Sequence, residues 1–371
     1  MAGSIRSDYP PVIGLRKTPP RAYNAARGTV MSNEIRQAGN AAPARAPASD
    51  PQAIRELIRR ADRFAAAGDA RSASAFYLAA VRAASTPDRL PGELAADVRR
   101  AQAACAGYAA QYKAYLREKL AGGGFDPQRS SPRFAQSVDI ALGEKRIFLQ
   151  EPRYYYFPGL PQVQFYPEDS FPWLTEVEAA TDAIRDELLA VMEDPGAFAP
   201  YVTGDANRPR RDHQGMLNNP AWSAWYLWKN GTPVPGNAER CPRTLHALRS
   251  APLSLTAGRS PSILFSLLKP GAHIPPHTGL VNTRLICHLP LIVPGRSRFR
   301  VGNEVREWVE GRAWVFDDTI EHEAWNESAG TRVVLLFDVW RPELTDEERR
   351  LVSGLFEAID AYNGTKPDWD I

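Results

Sequence analysis

Two histidines in the last third of the chain, His277 and His322, each sit inside a dense run of polar and aromatic residues, and a basic residue, Arg332, follows the second by ten positions. The runs are PGAHIPPHTGLVNTRLICHLPL from Pro270 and WVFDDTIEHEAWNESAGTRVVLLFDVWRPEL from Trp314. Imidazole is the commonest side-chain ligand of transition metals. A guanidinium close to such a pair suits an anion held beside the metal, because its planar fork donates two parallel hydrogen bonds to a carboxylate. Two histidines and one carboxylate on one face make the usual mononuclear Fe(II) site of oxygenases, with the other positions left for a co-substrate and O2. Here the residue two after His277, where that arrangement puts Asp or Glu, is Gly279. The carboxylate is missing from its motif position.

Rigid elements have to present these groups, and the surrounding sequence reads as strands. LICHLPLIV, AWVFDD and RVVLLFDVW are short, rich in β-branched and aromatic residues, and bounded by Pro, Gly, Asn and Asp. That is the pattern of strand–turn–strand segments in an all-β barrel rather than of helices.

The same residues carry a resemblance. HTG at 277–279, NTRL at 282–285, His288, FDD-x-x-EHE-x-W from Phe316 to Trp325, Arg332 and DVWRPEL-T at 338–345 resemble the aspartyl/asparaginyl β-hydroxylase family. Upstream the resemblance continues through YFPGLP (156–161), YLWKNG (226–231), NAERCPRT (237–244) and S-x-x-x-PG (266–271), so it covers about residues 154–350. It implies a double-stranded β-helix, a jelly-roll of cupin type, that uses Fe(II), 2-oxoglutarate and O2 as cofactor and co-substrates. By the same resemblance His277 and His322 bind the iron, with a water at the third position. Arg332 pairs with the distal carboxylate of 2-oxoglutarate, Ser266 and His288 help to hold the oxo-acid, and Arg284 lines the substrate side. Asp318, four residues before His322, is placed to hydrogen-bond the iron-bound water. The implied reaction is hydroxylation of a C–H bond in an amino-acid side chain of a peptide, a protein or a free amino acid.

One position departs from the animal members of that family. Two residues before the matching histidine they carry an arginine that helps to fix the acidic substrate, and this chain has Ile286. An apolar side chain cannot pair with a carboxylate, so aspartate specificity does not transfer. Two further classes stay open: an iron halogenase, in which chloride takes the place of the missing carboxylate, and a non-catalytic ligand-binding barrel.

Other conspicuous residues have plainer readings. His213, His246 and His273 lack a motif context and read as ordinary core or surface histidines. Tyr154–Phe157 and the cluster Trp222, Trp225, Tyr226 and Trp228 read as packing, since such rings bury large apolar areas. Asp317 and Asp318 are equally readable as turn residues.

Composition narrows the field. The net charge of +2 provides no field for nucleic acid. The excess is local: residues 1–50 hold seven Lys/Arg against three Asp/Glu, which leaves the remainder at −2. No uncharged run approaches the length of a membrane span, and no apolar secretion segment opens the chain. Cys105, Cys241 and Cys287 have no paired spacing, which fits a reducing cytoplasm. There is no phosphate loop, no dinucleotide fingerprint, no nucleophile elbow and no pair of C-x-x-C motifs.

The expected organisation is α+β, with five parts. Residues 1–50 form a disordered tail in which Met31 is a plausible start. Residues 51–121 form a helical region interrupted at Thr86–Gly92, where Gly68, Ala73, Tyr77 and Ala80 fall at the small and aromatic positions of a TPR-like hairpin; a generic helical hairpin explains them as well. Residues 122–153 form a linker, 154–350 the catalytic barrel, and 351–371 a C-terminal helix and tail. The partners expected are a small-molecule or peptide/protein substrate and, through the helical region, a protein partner; neither nucleic acid nor membrane is expected.

Overall fold

The computed structural model describes residues 50–84, 90–204 and 214–363. The expected tail up to Ser49, His213 and part of the Thr86–Gly92 turn lie outside the described residues. The chain divides into two compact units, Met1–Gly143 and Glu144–Ile371.

In the first unit, α1 (Pro51–Ala66) starts where the Asp50 carboxylate accepts the Gln52 N–H and Pro51 occupies the first helical position. Gly68, at φ +74°, turns the chain into α2 (Ala70–Ala83), which Asp69 caps through the Ser72 N–H. Ile54, Ile58 and Ala61 on α1 and Ala73, Tyr77 and Ala80 on α2 are spaced three or four residues apart, so each set lies on one face. These faces pack with Leu94, Val98 and Ala101 of α3 (Gly92–Gly122) into a core of their own. The stretch expected as a linker holds a further helix, α4 (Pro132–Ala141), none of whose residues is buried. Pro132 opens it, and its Phe134 is exposed while Val138 and Ile140 are half-buried.

The second unit begins ahead of residue 154: Arg146 exchanges two hydrogen bonds with Asn303, and Gln150 bonds Asp317. Its elements in order are α5 (Leu174–Ala179), α6 (Thr181–Met192), β1 (Ala199–Pro200), β2 (Trp222–Lys229), β3 (Thr232–Pro233), α7 (Pro242–Ala247), β4 (Ile263–Leu268), β5 (His273–His277), β6 (Arg284–Ile292), β7 (Ser297–Val301), β8 (Glu304–Glu307), β9 (Trp314–Phe316), β10 (His322–Asn326), β11 (Arg332–Trp340) and α8 (Asp346–Asn363). The C-terminal helix thus starts at Asp346, not at residue 351, with three acidic residues in its first turn where the helix dipole favours them.

The strands form two antiparallel sheets, ordered β1-β2-β4-β11-β6-β9, with β3 beside β2, and β5-β10-β7-β8. From β4 onward the chain alternates between the sheets, so that β4, β6, β9 and β11 fall in one and β5, β7, β8 and β10 in the other. This is the double-stranded β-helix, a cupin-like jelly-roll. The larger sheet is covered on both faces, which explains why its strands are almost continuously apolar. On β6, Leu285, Cys287, Leu289 and Leu291 join Ile184 and Leu188 of α6 in the main core, as do Val333, Leu335, Phe337 and Val339 of β11. The alternate residues Arg284, Ile286 and His288, with Arg332, Leu336 and Asp338, face a cavity between the sheets.

Candidate metal and co-substrate site

The cavity holds about 810 Å³ of atom-free space, part of it open to solvent. His277 closes β5 and His322 opens β10, and they are direct cross-strand partners with ring centroids 4.1 Å apart. Their backbones also fix their tautomers. The Nδ1–H of His277 donates to the Pro275 carbonyl at 2.8 Å and that of His322 to the Ile320 carbonyl at 3.1 Å. A carbonyl can only accept, so Nδ1 carries the proton and each Nε2 keeps its lone pair for a metal. Burial keeps both rings neutral: it pushes the His277 pKa down to about 4 and that of His322 well below its usual value, where the His277 ring adds to the effect. Among the described residues, no cluster of three or more His, Cys, Asp or Glu side chains could hold a metal, so the site is a pair.

Asp318 stands in space where the motif lacks a carboxylate. A Cβ built on Gly279 would overlap the Asp318 carboxyl group, and the Gly279 N–H donates to the Asp318 carbonyl at 2.6 Å. Only glycine leaves room for this. Burial pushes the Asp318 pKa up to about 7 and outweighs the Arg284 guanidinium 3.7 Å away, while Oδ1 is buried without a hydrogen-bond partner.

At the other end of the cavity Arg332 is 1% exposed. Its Nη1 donates to the Ser266 carbonyl at 3.3 Å, its face lies over the Trp308 ring at 4.5 Å, and its Nε is unbonded. No carboxylate pairs with it among the described residues, and burial alone pulls its pKa down to about 9, still charged at neutral pH. His288 also lines this end; burial and then Arg332 hold it neutral, and its Nδ1 is unbonded. The Ser266 hydroxyl accepts the Trp222 indole N–H at 3.3 Å. Arg284 behaves differently, because its Nη1 donates to Asp338 Oδ2 at 2.7 Å.

All seven residues singled out in the sequence therefore meet at one cavity: His277, His322, Asp318, Arg284, Ser266, His288 and Arg332. His273 does not; it stacks on Trp325 and bonds Glu323. Of the aromatic cluster read as packing, Trp222 and Tyr226 line the cavity, and Trp225 packs on Phe265 in the helix-side core. Strand alternation could have separated them, since 222 and 226 share a face and 225 does not. It could also have found Asp338, which alternates with Arg332 along β11. Trp308, between β8 and β9, had no such signal.

The jelly-roll thus brings two imidazoles with free Nε2 lone pairs into one cavity with a guanidinium that no acid among the described residues compensates. Residues 178–342 match the family described as Aspartyl/Asparaginyl beta-hydroxylase, and this stretch is a domain of that family. Human "Aspartyl/asparaginyl beta-hydroxylase" is 36% identical over 169 residues, which are 45% of this chain and 21% of that protein. "Ornithine lipid ester-linked acyl 2-hydroxylase" of Rhizobium tropici is 36% identical over 187 residues, 50% of this chain and 62% of that protein. Human "Aspartate beta-hydroxylase domain-containing protein 2" is 30% identical over 215 residues, 57% of this chain and 56% of that protein. The chain thus spans between about a fifth and three-fifths of the length of these relatives.

Proposed function

We propose that the Glu144–Ile371 unit is an Fe(II)- and 2-oxoglutarate-dependent dioxygenase that hydroxylates an aliphatic C–H bond. The observation that carries this reading is Arg332, a buried guanidinium with no acidic partner among the described residues, in the same cavity as two imidazoles whose Nε2 atoms are bare. A buried charge of that kind is costly unless a ligand completes it.

The residues fit the absent groups. His277 and His322 hold Fe(II) through Nε2, and Arg332, with the Ser266 hydroxyl and His288 beside it, binds the distal carboxylate of 2-oxoglutarate. Iron, O2 and the oxo-acid together supply the oxidising power for C–H cleavage. Asp318 accepts a hydrogen bond from water beside the two histidines and so orients it. Trp222, Phe299, Trp308 and Phe316 wall the cavity with apolar rings.

The hydroxylated group belongs to an amino-acid side chain of a peptide, a protein or a free amino acid. A lipid acyl chain is the second substrate reading, favoured by the name of the Rhizobium relative. A silent binding barrel has no use for two metal-ready imidazoles and an uncompensated guanidinium together. The helical unit serves as an interaction region for a protein partner, and the three free cysteines suit a cytoplasmic setting. No described helix is long and apolar enough to cross a membrane.

The test is succinate release from 2-oxoglutarate, with and without Fe(II) and with and without a cell-extract metabolite pool. Iron-dependent succinate supports the reading. Absence of both 2-oxoglutarate binding and succinate under every condition sinks it.

A further inference from the structure

The cavity carries a second guanidinium, Arg284, that is already ion-paired through its Nη atoms while its Nε is buried without a hydrogen-bond partner. Arg284 Nη1 donates to Asp338 Oδ2 at 2.7 Å, and its Nη2 lies 3.7 Å from Asp318 Oδ2. Asp338 is held in turn by the Ser262 N–H at 2.8 Å and is 1% exposed. One guanidinium thus faces two carboxyl groups, and its ion pair with Asp338 is closed within the cluster. Along the same face of β6, Ile286 follows Arg284 by two residues, which puts it roughly 7 Å further along the strand, between Arg284 and His288. Its strand neighbours are Asp338 on β11 and Phe316 on β9. Leu336, which pairs with His288, and Ile274 form with Ile286 an apolar belt of the cavity that Asp338 borders.

We propose that the substrate side of this cavity takes a neutral aliphatic group and rejects a carboxylate, with Arg284 acting as a compensated strut between strands and not as an anion reader. The inference rests on the dioxygenase reading above, which leaves the substrate class open. A carboxylate entering here would meet a guanidinium already ion-paired with Asp338 and would crowd Asp318 and Asp338. A branched or linear hydrocarbon meets only apolar contacts in the belt. Arg332 gives the opposite case at the inner end, where an anion is wanted.

The test measures binding, not turnover. The full chain is loaded with Zn(II), which binds imidazole but has no redox chemistry, and with 2-oxoglutarate. Two blocked amino acids of similar shape, N-acetyl-leucine methylamide and N-acetyl-aspartate methylamide, are then titrated by calorimetry. The leucine probe is expected to bind at least about tenfold tighter, the scale set by placing like charges together. Asp338→Asn, which uncovers Arg284, should raise the affinity for the aspartate probe by about tenfold with 2-oxoglutarate binding unchanged. Should that variant fail to fold, the double variant Arg284→Met, Asp338→Leu replaces the whole pair; the probe ratio should stay near the wild-type value. Equal or tighter binding of the aspartate probe to the wild type overturns the proposal, as does failure of the leucine probe to bind. A folded Asp338→Asn with an unchanged ratio, or a double variant that specifically loses aspartate binding, also overturns it. Failure of the dioxygenase reading is seen separately, as absence of 2-oxoglutarate binding in the wild type.

Discussion

Asp317 and Asp318 adjoin in sequence and are both buried, yet they belong to regions that treat charge in opposite ways. Asp317 is fully partnered: it accepts Arg341 at 2.7 Å, Gln150 at 2.6 Å and both the N–H and the hydroxyl of Thr319. Arg341 also donates to the carbonyls of Pro161 and Asn282 and to Tyr166, and the Asn282 amide bonds Gln150 and Phe157. This network ties the segment before α5 to the loop after β5 and the end of β11. One residue on, Asp318 has a buried oxygen without a partner, and Arg332 at the far end of the cavity has no acid. A satisfied buried charge holds the fold, and an unsatisfied one awaits a ligand. The two regions also divide the motifs among themselves: Asn282 and Arg341 serve the network, while Arg284 and Arg332, from the same runs, face the cavity.

Four experiments sharpen or break this contrast, the largest effect first. His277→Ala and His322→Ala should each abolish iron-dependent succinate formation and leave the metal-free melting temperature near the wild type, because only two protein ligands serve the metal. Near-wild-type turnover in either variant would remove the metal assignment.

Next come the two guanidiniums. Arg341→Met strands Asp317 and should cost about 3–5 kcal/mol of stability, read by denaturant unfolding. Arg332→Met in the metal-free protein should be neutral or stabilising, since it deletes a charge that nothing compensates, while 2-oxoglutarate binding disappears. Equal destabilisation by both variants would erase the distinction.

Arg332→Lys keeps the charge but loses the fork, and should raise the KM for 2-oxoglutarate about ten- to a hundredfold, the equivalent of roughly 1.5–3 kcal/mol. An unchanged KM would move the carboxylate clamp elsewhere.

The smallest effect concerns Asp318. With its pKa pushed up to about 7 from 3.8, the folded metal-free protein holds a proton in that window that the unfolded chain has released. Stability contributed by this group is therefore present at low pH and lost as pH rises from about 4 through 7. Asp318→Asn should flatten that decline, gaining on the wild type between pH 5 and pH 8 in thermal melts by at most a few kcal/mol. A difference independent of pH would mean that the carboxyl is already ionised.

That His277, His322 and Arg332 would be gathered by a β-barrel was legible in the sequence, because it depends on residue type and close spacing: histidines in motif runs, an arginine ten residues on, short strands rich in β-branched and aromatic residues. The first unit was legible as helices for the same reason, through the small and aromatic positions Gly68, Ala73, Tyr77 and Ala80 and the break at Thr86–Gly92. Tertiary structure alone decided which charged partner each group would meet. That Gly279 is glycine because Asp318 occupies its side-chain space, that Asp338 neutralises Arg284, and that Trp308 lies under Arg332 are contacts between segments distant in sequence. Pairing register between β6 and β11 sets the second, and one residue of slip would turn each of its side chains to the other face. Local spacing names the chemistry a strand can carry; the register between strands determines which charges stay open for a ligand.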